Sequence, residues 1–227
     1  MKAKSPPSPR PNGKSAASQP AKTRQLNSSP PARHHGRLKT LTINPYGESK
    51  LMFERMIRWF AEVHGLSYAV FRYFNAAGAW NELGEHHEPE THLIPNVIRV
   101  LLGQKECLEV FGSDYPTPDA TCLRDYIHVR DLAEAHLLAA ESEANGCFNL
   151  GTGTPTSVME VVRACERASG RTAKLVYRPR RAGDPPSLLA VAERARDVFG
   201  WEPKHSGMDE IAASAWEWHL RHPHGYR

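Results

Sequence analysis

The hydrophobic positions of this chain recur first at helical spacing and then in alternation. Across residues 45–64 the large apolar side chains return every three or four positions. These side chains are Met52, Phe53, Met56, Ile57 and Phe60. The spacing predicts a helix from Pro45 to His64 that Gly65 ends. Residues 67–74 then alternate and are rich in Val, Tyr and Phe, which predicts a buried strand.

Helices and short strands continue to alternate toward the C-terminus. Helices are predicted over 92–102, 131–143, 158–169 and 208–220, and strands over 108–112, 124–129, 147–150 and 174–178. Asp131 is expected to cap the second of these helices, and Thr156 or Ser157 the third. The polar segment 79–91, with two adjacent histidines, predicts a surface loop.

Charge divides the chain into two unequal parts. The whole chain has 29 Lys/Arg and 25 Asp/Glu, a net charge of +4. Residues 1–40 hold nine of the basic residues and no acid, so residues 41–227 hold 20 basic and 25 acidic residues, a balance of −5. The first segment is also rich in Pro and Ser, which predicts a disordered basic tail ahead of a globular part. We expect no specific nucleic-acid role for it.

Several other classes of protein are not expected. The sequence contains no apolar run long enough to span a membrane, and no signal-peptide core is visible. The four cysteines lack Cys-x-x-Cys spacing, which favours reduced thiols in a cytoplasmic protein. No metal site is predicted, because the histidine pairs lack partners at ligand spacing. These histidines are His34, His35, His219, His222 and His224.

Tyr46 and Lys50 form the candidate catalytic pair. They lie four residues apart at the start of the first predicted helix, so their side chains share one face. A free tyrosine is almost entirely neutral at pH 7, and a nearby cation favours its phenolate. Such a pair can exchange a proton with a substrate hydroxyl. The same spacing also arises on helices that have no catalytic role.

Four blocks of sequence carry a family resemblance. They are Asn44–Lys50, Phe71–Gly78, Phe111–Thr117 continuing to Cys122–Val129, and Pro179–Pro185. In this order they resemble the extended short-chain dehydrogenase/reductases and, among them, the UDP-glucose 4-epimerases, over residues 41–227. The resemblance implies an α/β fold: the last strands and helices of a Rossmann-like doubly wound sheet, interleaved with a smaller mixed α/β substrate domain.

The resemblance also implies a cofactor, NAD, and a proton-transfer role for this chain. Tyr46 would take the proton from the sugar 4′-hydroxyl while a hydride passes to NAD. Lys50 would favour the phenolate and bond the nicotinamide ribose, and Phe74 would lie beside the nicotinamide. The 4-keto sugar would turn over in the site before the hydride returns to its other face.

A further set of residues would hold a UDP-sugar, by the same resemblance. Arg124 and Arg181 would bind the diphosphate, Asp184 the ribose hydroxyls, and Phe111 would stack near the uracil. The remaining expected contacts are Asn75, His92 and Leu93. From the residues alone, Arg124 has an alternative, an ion pair with Asp125 or Asp131, and Asn75 could simply bond its own turn. Leu188 falls where the family varies with substrate breadth.

One departure from the family pattern leaves three hypotheses. The family opens with a Gly-x-x-Gly-x-x-Gly loop for the dinucleotide, and this sequence contains no such loop. The nearest approach to it, Gly151–Thr156, is better interpreted as a strand-to-helix turn. The chain is a truncated epimerase, a non-catalytic UDP-sugar-binding module, or a related NAD-dependent dehydratase or reductase. Family members often form dimers through the helix that bears this tyrosine, so a homodimer is also expected. The early strands of the family's sheet have no counterpart in this sequence, so an open apolar face is predicted where they would pack.

Overall fold

The computed structural model describes residues 45–226, so the predicted tail of residues 1–40 lies outside the described residues. The helices are α1 (Pro45–His64), α2 (Leu93–Leu101), α3 (Val129–Ala140), α4 (Val158–Ser169), α5 (Glu193–Phe199) and α6 (Met208–Arg221). The strands are β1 (Ala69–Tyr73), β2 (Asn75–Ala77), β3 (Leu108–Phe111), β4 (Leu123–Arg124), β5 (Tyr126–His128), β6 (Gly146–Leu150), β7 (Thr156–Ser157), β8 (Leu175–Arg178) and β9 (Ser187–Leu188).

The strands form four small sheets, and three of these are parallel pairs. β1 pairs with β6, β2 with β5, and β3 with β8. In the fourth sheet β4 lies between β7, which is antiparallel to it, and β9, which is parallel. Parallel strands joined through helices confirm the predicted α/β class. The predicted strand 67–74 corresponds to β1, which ends before Phe74. After Phe74 the chain stops pairing with β6 and, as β2, pairs with β5 instead.

Two apolar clusters form the core of the described residues. The larger lies among α2, α4, α6 and β3, and its innermost side chains are Val97, Ile98, Val161 and Ile211. The smaller lies among α3, α5, β5 and β6, with Ile127, Phe148, Leu150 and Trp201 fully buried. The amphipathic spacing of α2 and α4 therefore directs their apolar faces into one core.

Helix α1 contributes little to either cluster. None of its residues, all of which the structure describes, is fully buried. Most of its large apolar side chains are about half or more exposed, including Met52 at 60%, Trp59 at 66% and Val63 at 72%. An exposed apolar stripe of this size is unusual for a monomeric protein. The open apolar face that the sequence predicts is thus present on α1.

The predicted cap of α3 is wrong. His128 is the N-cap residue, and its side chain accepts a hydrogen bond from the Arg130 backbone N–H. Asp131 is buried in the first turn and accepts from the backbone N–H of Lys204 at 3.0 Å and of His205 at 2.9 Å. Its partners are more than 70 positions away in the sequence, so local spacing does not reveal them.

The predicted ends of α4 are confirmed. Ser157 begins α4 with a reciprocal capping box to Glu160, and Gly170 ends it in the left-handed conformation. All four cysteines, each within the described residues, are free thiols. Across residues 45–226, the structure contains no helix with the length and apolar character to cross a membrane.

Candidate functional site

Tyr46 and Lys50 meet on one face at the start of α1, as their spacing predicts. The Lys50 Nζ lies 5.1 Å from the centroid of the Tyr46 ring. Tyr46 is 72% exposed, so its hydroxyl is open to a ligand. The Ser49 hydroxyl donates to the Tyr46 carbonyl at 2.7 Å and tightens this first turn. A phenol beside a cation is an arrangement that can exchange a proton with a ligand hydroxyl.

A two-point ion pair attaches α1 to the β1–β6 sheet. Arg72 donates from Nε to Glu54 Oε1 at 2.6 Å and from Nη2 to Glu54 Oε2 at 2.5 Å. The Cys147 thiol on β6 lies 3.5 Å from the same carboxylate. The hydrogen bond from Arg72 holds the pKa of Glu54 below its usual value. Because α1 has no fully buried side chain among the described residues, this polar contact is a principal link between the candidate pair and the sheet.

Asn75 stands where the chain passes from β1 to β2. Its backbone N–H and its side-chain Nδ2 both donate to the Asp125 carbonyl, at 3.0 Å and 2.7 Å. The alternative in which Asn75 bonds its own turn is therefore wrong, since its partner precedes β5. Phe74, half-buried, occupies the break between the two strands. In parallel sheets a ligand commonly binds beyond the strand ends at such a change of partner.

Asp125 borders the candidate site residues Asn75 and Arg124, and the sequence did not identify it as part of the site. Its buried carboxylate accepts from the Thr152 N–H at 2.9 Å, the Thr152 hydroxyl at 2.8 Å, the Gly153 N–H at 2.8 Å and the Ala190 N–H at 3.0 Å. A Cβ on Gly151 would lie 2.8 Å from this carboxylate, so the turn requires glycine there. The predicted strand-to-helix turn is thus organised around an acidic side chain. A charged residue inside the predicted strand 124–129 was the available signal.

Arg124, next to Asp125, is held in place by a neighbouring carbonyl and by acceptors from the distant segment 184–185. Its Nη2 forms an ion pair with Asp184, and its Nη1 donates to the carbonyls of Leu123 at 2.7 Å and Pro185 at 3.0 Å. The alternative of an ion pair with Asp125 is wrong, as is the one with Asp131. The Arg124 side chain is 12% exposed, so its guanidinium is fixed by the protein at the edge of the site.

The two neighbouring arginines behave differently. The Arg181 guanidinium stacks 4.1 Å from the centroid of the Phe111 ring, which joins two predicted site residues. Arg180 lies instead over the Tyr115 ring at 4.2 Å, and its Nε donates to Asp114 at 2.6 Å. The buried Tyr115 hydroxyl has no hydrogen-bond partner among the described residues. A buried polar atom of this kind needs an acceptor or donor that a ligand or water can supply.

His92 and Leu93 begin α2. His92 is the N-cap residue but makes no side-chain capping bond, and its Nδ1 instead lies 2.8 Å from Glu85 Oε1 and 2.9 Å from Glu90 Oε1. Burial raises the pKa of Glu85, and the charge of His92 opposes that change. The ring of His87 lies 4.8 Å from that of His92. The start of α2 is therefore a polar site, with Leu93 half-buried behind it.

The predicted residues thus fall into separate contact groups. The first is the pair Tyr46 and Lys50 on α1. The second combines the Arg124–Asp184 ion pair with the Phe111–Arg181 stack, linked through the short segment 181–184. Leu188 on β9 is the register partner of Arg124, so it borders this second group.

Comparisons with known proteins give the family. The NAD dependent epimerase/dehydratase family matches residues 21–151, more than half of the chain, and its match begins inside the predicted tail. The chain is 50% identical over 193 residues to the UDP-glucose 4-epimerase of Halalkalibacterium halodurans, covering 82% of this chain and 58% of that protein. The chain therefore spans less than two thirds of that relative.

Solved structures agree with this result. The UDP-glucose 4-epimerase from Brucella ovis, in complex with NAD, is 48% identical with a TM-score of 0.75 over 78% of this chain and 57% of that one. The UDP-glucose 4-epimerase from Bifidobacterium longum, in complex with NAD+ and UDP, is 38% identical with a TM-score of 0.76 over 82% and 58%. From its sequence and its fold, this chain belongs to the NAD dependent epimerase/dehydratase family.

Proposed function

We propose that this chain supplies the substrate-binding and proton-transfer part of a UDP-glucose 4-epimerase, which interconverts UDP-glucose and UDP-galactose. The observation that carries the proposal is the Tyr46–Lys50 pair, with an ammonium 5.1 Å from an exposed phenol ring. Relatives named UDP-glucose 4-epimerase, and neighbours solved with NAD or with NAD+ and UDP, support it. The chain spans about three fifths of these proteins, so the activity is proposed from the part described.

The catalytic role of the chain is proton transfer at the sugar. Tyr46 accepts the proton of the 4′-hydroxyl when the C4–H bond is broken, and it returns that proton at the end of the reaction. Lys50 stabilises the negative charge on the phenolate oxygen during this step. The chemistry that bound NAD would supply is a reversible hydride acceptor for C4. Tyr46, Lys50 and Phe74 would hold its nicotinamide end, and their exposure fits such a ligand.

The substrate role falls to the second group of residues. Arg124 presents a guanidinium fixed by two carbonyls, and a diphosphate is a suitable acceptor for its planar N–H groups. Arg181 adds a second cation over the Phe111 ring, where the uracil would stack. Asp184 would accept ribose hydroxyl protons. Contacts from Asn75, His92 and Leu93 would complete the nucleotide site.

A binding-only function is the second candidate. It is favoured by one observation: the Arg124–Asp184 ion pair and the Phe111–Arg181 stack are made within the described fold, whereas α1 is attached to the sheet largely through Glu54. A protein with this function binds UDP-galactose but does not convert it, even with NAD present. No contact among the described residues favours a dehydratase or reductase over these two.

One experiment separates the candidates. UDP-galactose binding is measured by calorimetry, and conversion to UDP-glucose by NMR with NAD added. Tyr46→Phe is expected to abolish conversion and leave binding unchanged, while Arg124→Gln weakens binding about 10- to 100-fold, the effect of losing charge-assisted hydrogen bonds. Tyr177→Phe, at an exposed tyrosine on β8, is the matched control and should change neither quantity. Undiminished conversion by Tyr46→Phe would refute the epimerase mechanism, and binding without conversion by the wild type would establish the second candidate.

We also propose that α1 forms a homodimer contact. Its exposed apolar side chains are the support, because such a stripe is stabilised by burial against another apolar surface. Sedimentation equilibrium tests the proposal, and a monomer at high micromolar concentration would contradict it. A cytoplasmic location and the absence of nucleic-acid or membrane partners stay predictions.

A further inference from the structure

We propose that Glu85, His87 and His92 bind a divalent transition-metal ion of the Zn²⁺ class. The three side chains offer one carboxylate oxygen and two imidazole nitrogens, all within 4.8 Å of one another. The sequence gives no warning of this, because Glu85 and His87 lie in the loop before α2 and His92 lies at its N-cap. The fold brings the loop back over the start of the helix and assembles the set.

The distances fit metal coordination with a small adjustment. Zn²⁺ binds nitrogen and oxygen ligands at about 2.0–2.2 Å, so tetrahedral ligands stand about 3.4 Å apart. Glu85 Oε1 lies 3.4 Å from His87 Nε2 and 2.8 Å from His92 Nδ1. Of these two distances the second needs to widen, by about half an ångström, when coordination replaces a hydrogen bond, and the two imidazole nitrogens, which lie within 4.8 Å of each other, need to stand about 3.4 Å apart as well. Three protein ligands leave a fourth position open for water or another oxygen donor.

A shortage of hydrogen-bond donors at this site supports the inference independently. His92 Nδ1 carries at most one hydrogen, yet the Oε1 atoms of Glu85 and Glu90 lie 2.8 Å and 2.9 Å from it. The Glu90 side chain is 1% exposed and also accepts from the His92 backbone N–H at 2.7 Å. Two carboxylates therefore share one imidazole donor. A divalent cation beside Glu85 would balance their charge.

The three ligands also differ in their freedom to move. The Glu85 side chain is 21% exposed, whereas both imidazoles are 54% exposed. The carboxylate is thus partly enclosed, while the exposed His87 ring can turn to meet an incoming ion. Mixed nitrogen and oxygen ligands favour Zn²⁺, Co²⁺ or Ni²⁺ over Mg²⁺ and Ca²⁺, which prefer oxygen alone. Bound there, the ion would fasten the loop at Glu85 to the first turn of α2.

Titration of metal-free protein with Zn²⁺ tests the proposal. Calorimetry should show one equivalent bound, and the melting temperature should rise by a few degrees at saturating Zn²⁺. Co²⁺ in place of Zn²⁺ should give visible absorption without a thiolate charge-transfer band, which separates this site from the cysteines. His87→Ala should weaken binding at least about tenfold, and Glu85→Gln likewise, because each removes a direct ligand. His87 is exposed, so this variant should fold.

Two controls use histidines outside the set. His224→Ala changes an exposed histidine near the C-terminus, and the double variant His34→Ala/His35→Ala changes the adjacent pair in the first segment. Both should bind Zn²⁺ as the wild type does. The proposal is overturned if the wild type binds no stoichiometric ion, if His87→Ala keeps the full affinity, or if either control loses as much affinity as His87→Ala.

Discussion

Substitution of Asp125 tests how the site is held together. The carboxylate accepts four hydrogen bonds, two from Thr152 through its N–H and its hydroxyl, one from the Gly153 N–H and one from the Ala190 N–H. In Asp125→Asn the new amide can face Thr152, whose hydroxyl can turn and accept from it. One backbone N–H then loses its acceptor, which costs about 1–3 kcal/mol. Asp125→Ala removes the acceptor for three backbone N–H groups and should cost up to about three times as much.

The free energy of unfolding measures both variants. Urea denaturation followed by tryptophan fluorescence gives it, since Trp201 and Trp218 are buried in the core. Because small domains are stable by only about 5–15 kcal/mol, Asp125→Ala is expected to be unfolded or nearly so. Asp125→Asn should remain folded at a lower urea midpoint. It should also weaken UDP-galactose binding, because a disturbed turn shifts the Asp125 backbone carbonyl that accepts from Asn75 and the neighbouring Arg124.

A matched acidic residue supplies the control. Asp209 forms an exposed ion pair with Arg167, with side chains 75% and 60% exposed, and such pairs contribute only about 0–1 kcal/mol. Asp209→Asn should therefore leave the urea midpoint nearly unchanged. If Asp125→Asn and Asp209→Asn lower stability by the same amount, the carboxylate of Asp125 does not hold the turn as described.

Three further predictions concern α1 and a half-buried histidine. Glu54→Gln should speed hydrogen exchange in α1 without affecting α4, because it breaks the Arg72 ion pair. In the wild type the ion pair adds to the free energy of unfolding at pH values above the usual pKa of Glu54. This added stability is lost as the pH falls through the lowered pKa of Glu54 in the folded state. Burial lowers the pKa of His219 to about 4, so below about pH 6.5 the unfolded chain binds a proton that the folded chain does not, and the free energy of unfolding falls as the pH drops from 6.5 to 4. Urea unfolding of His219→Gln should show about 1–3 kcal/mol less of this fall. The same pH dependence in the variant and the wild type would contradict the prediction. Met56→Lys/Trp59→Lys should reduce self-association in sedimentation velocity, and equal sedimentation to the wild type would show that this stripe is not a contact surface.

The sequence predicts elements whose signals are local. The bounds of α1 and α4 match the predicted ranges, because helical spacing fills both segments and Gly65 and Gly170 end them in the left-handed conformation. Helix α5 was not predicted. It has seven residues, of which only Ala195 is buried, so its apolar spacing is too short to recognise.

Elements and contacts that depend on distant partners were missed. Strands β7 and β9 have two residues each and exist through their pairing with β4. The donors to Asp125 lie 27 to 65 positions away, and no spacing rule connects them. The ion pair of Arg124 with Asp184 spans 60 positions. The family resemblance identified Arg124 and Asp184 as candidate site residues. The alternative ion pairs considered for Arg124, with Asp125 or Asp131, are wrong because its partner is Asp184.

The two parts of the proposed site are held with different strength, and this difference decides how an assay of this chain should be read. The carboxylate of Asp125 anchors the turn beside Arg124 through four hydrogen bonds, so substrate binding depends on contacts within the described fold. Tyr46 lies on a helix whose apolar stripe is exposed, so its position depends on what covers that stripe. UDP-galactose binding should therefore survive conditions that abolish conversion. If binding and conversion instead fell together on Glu54→Gln, the two parts would form one cooperative unit.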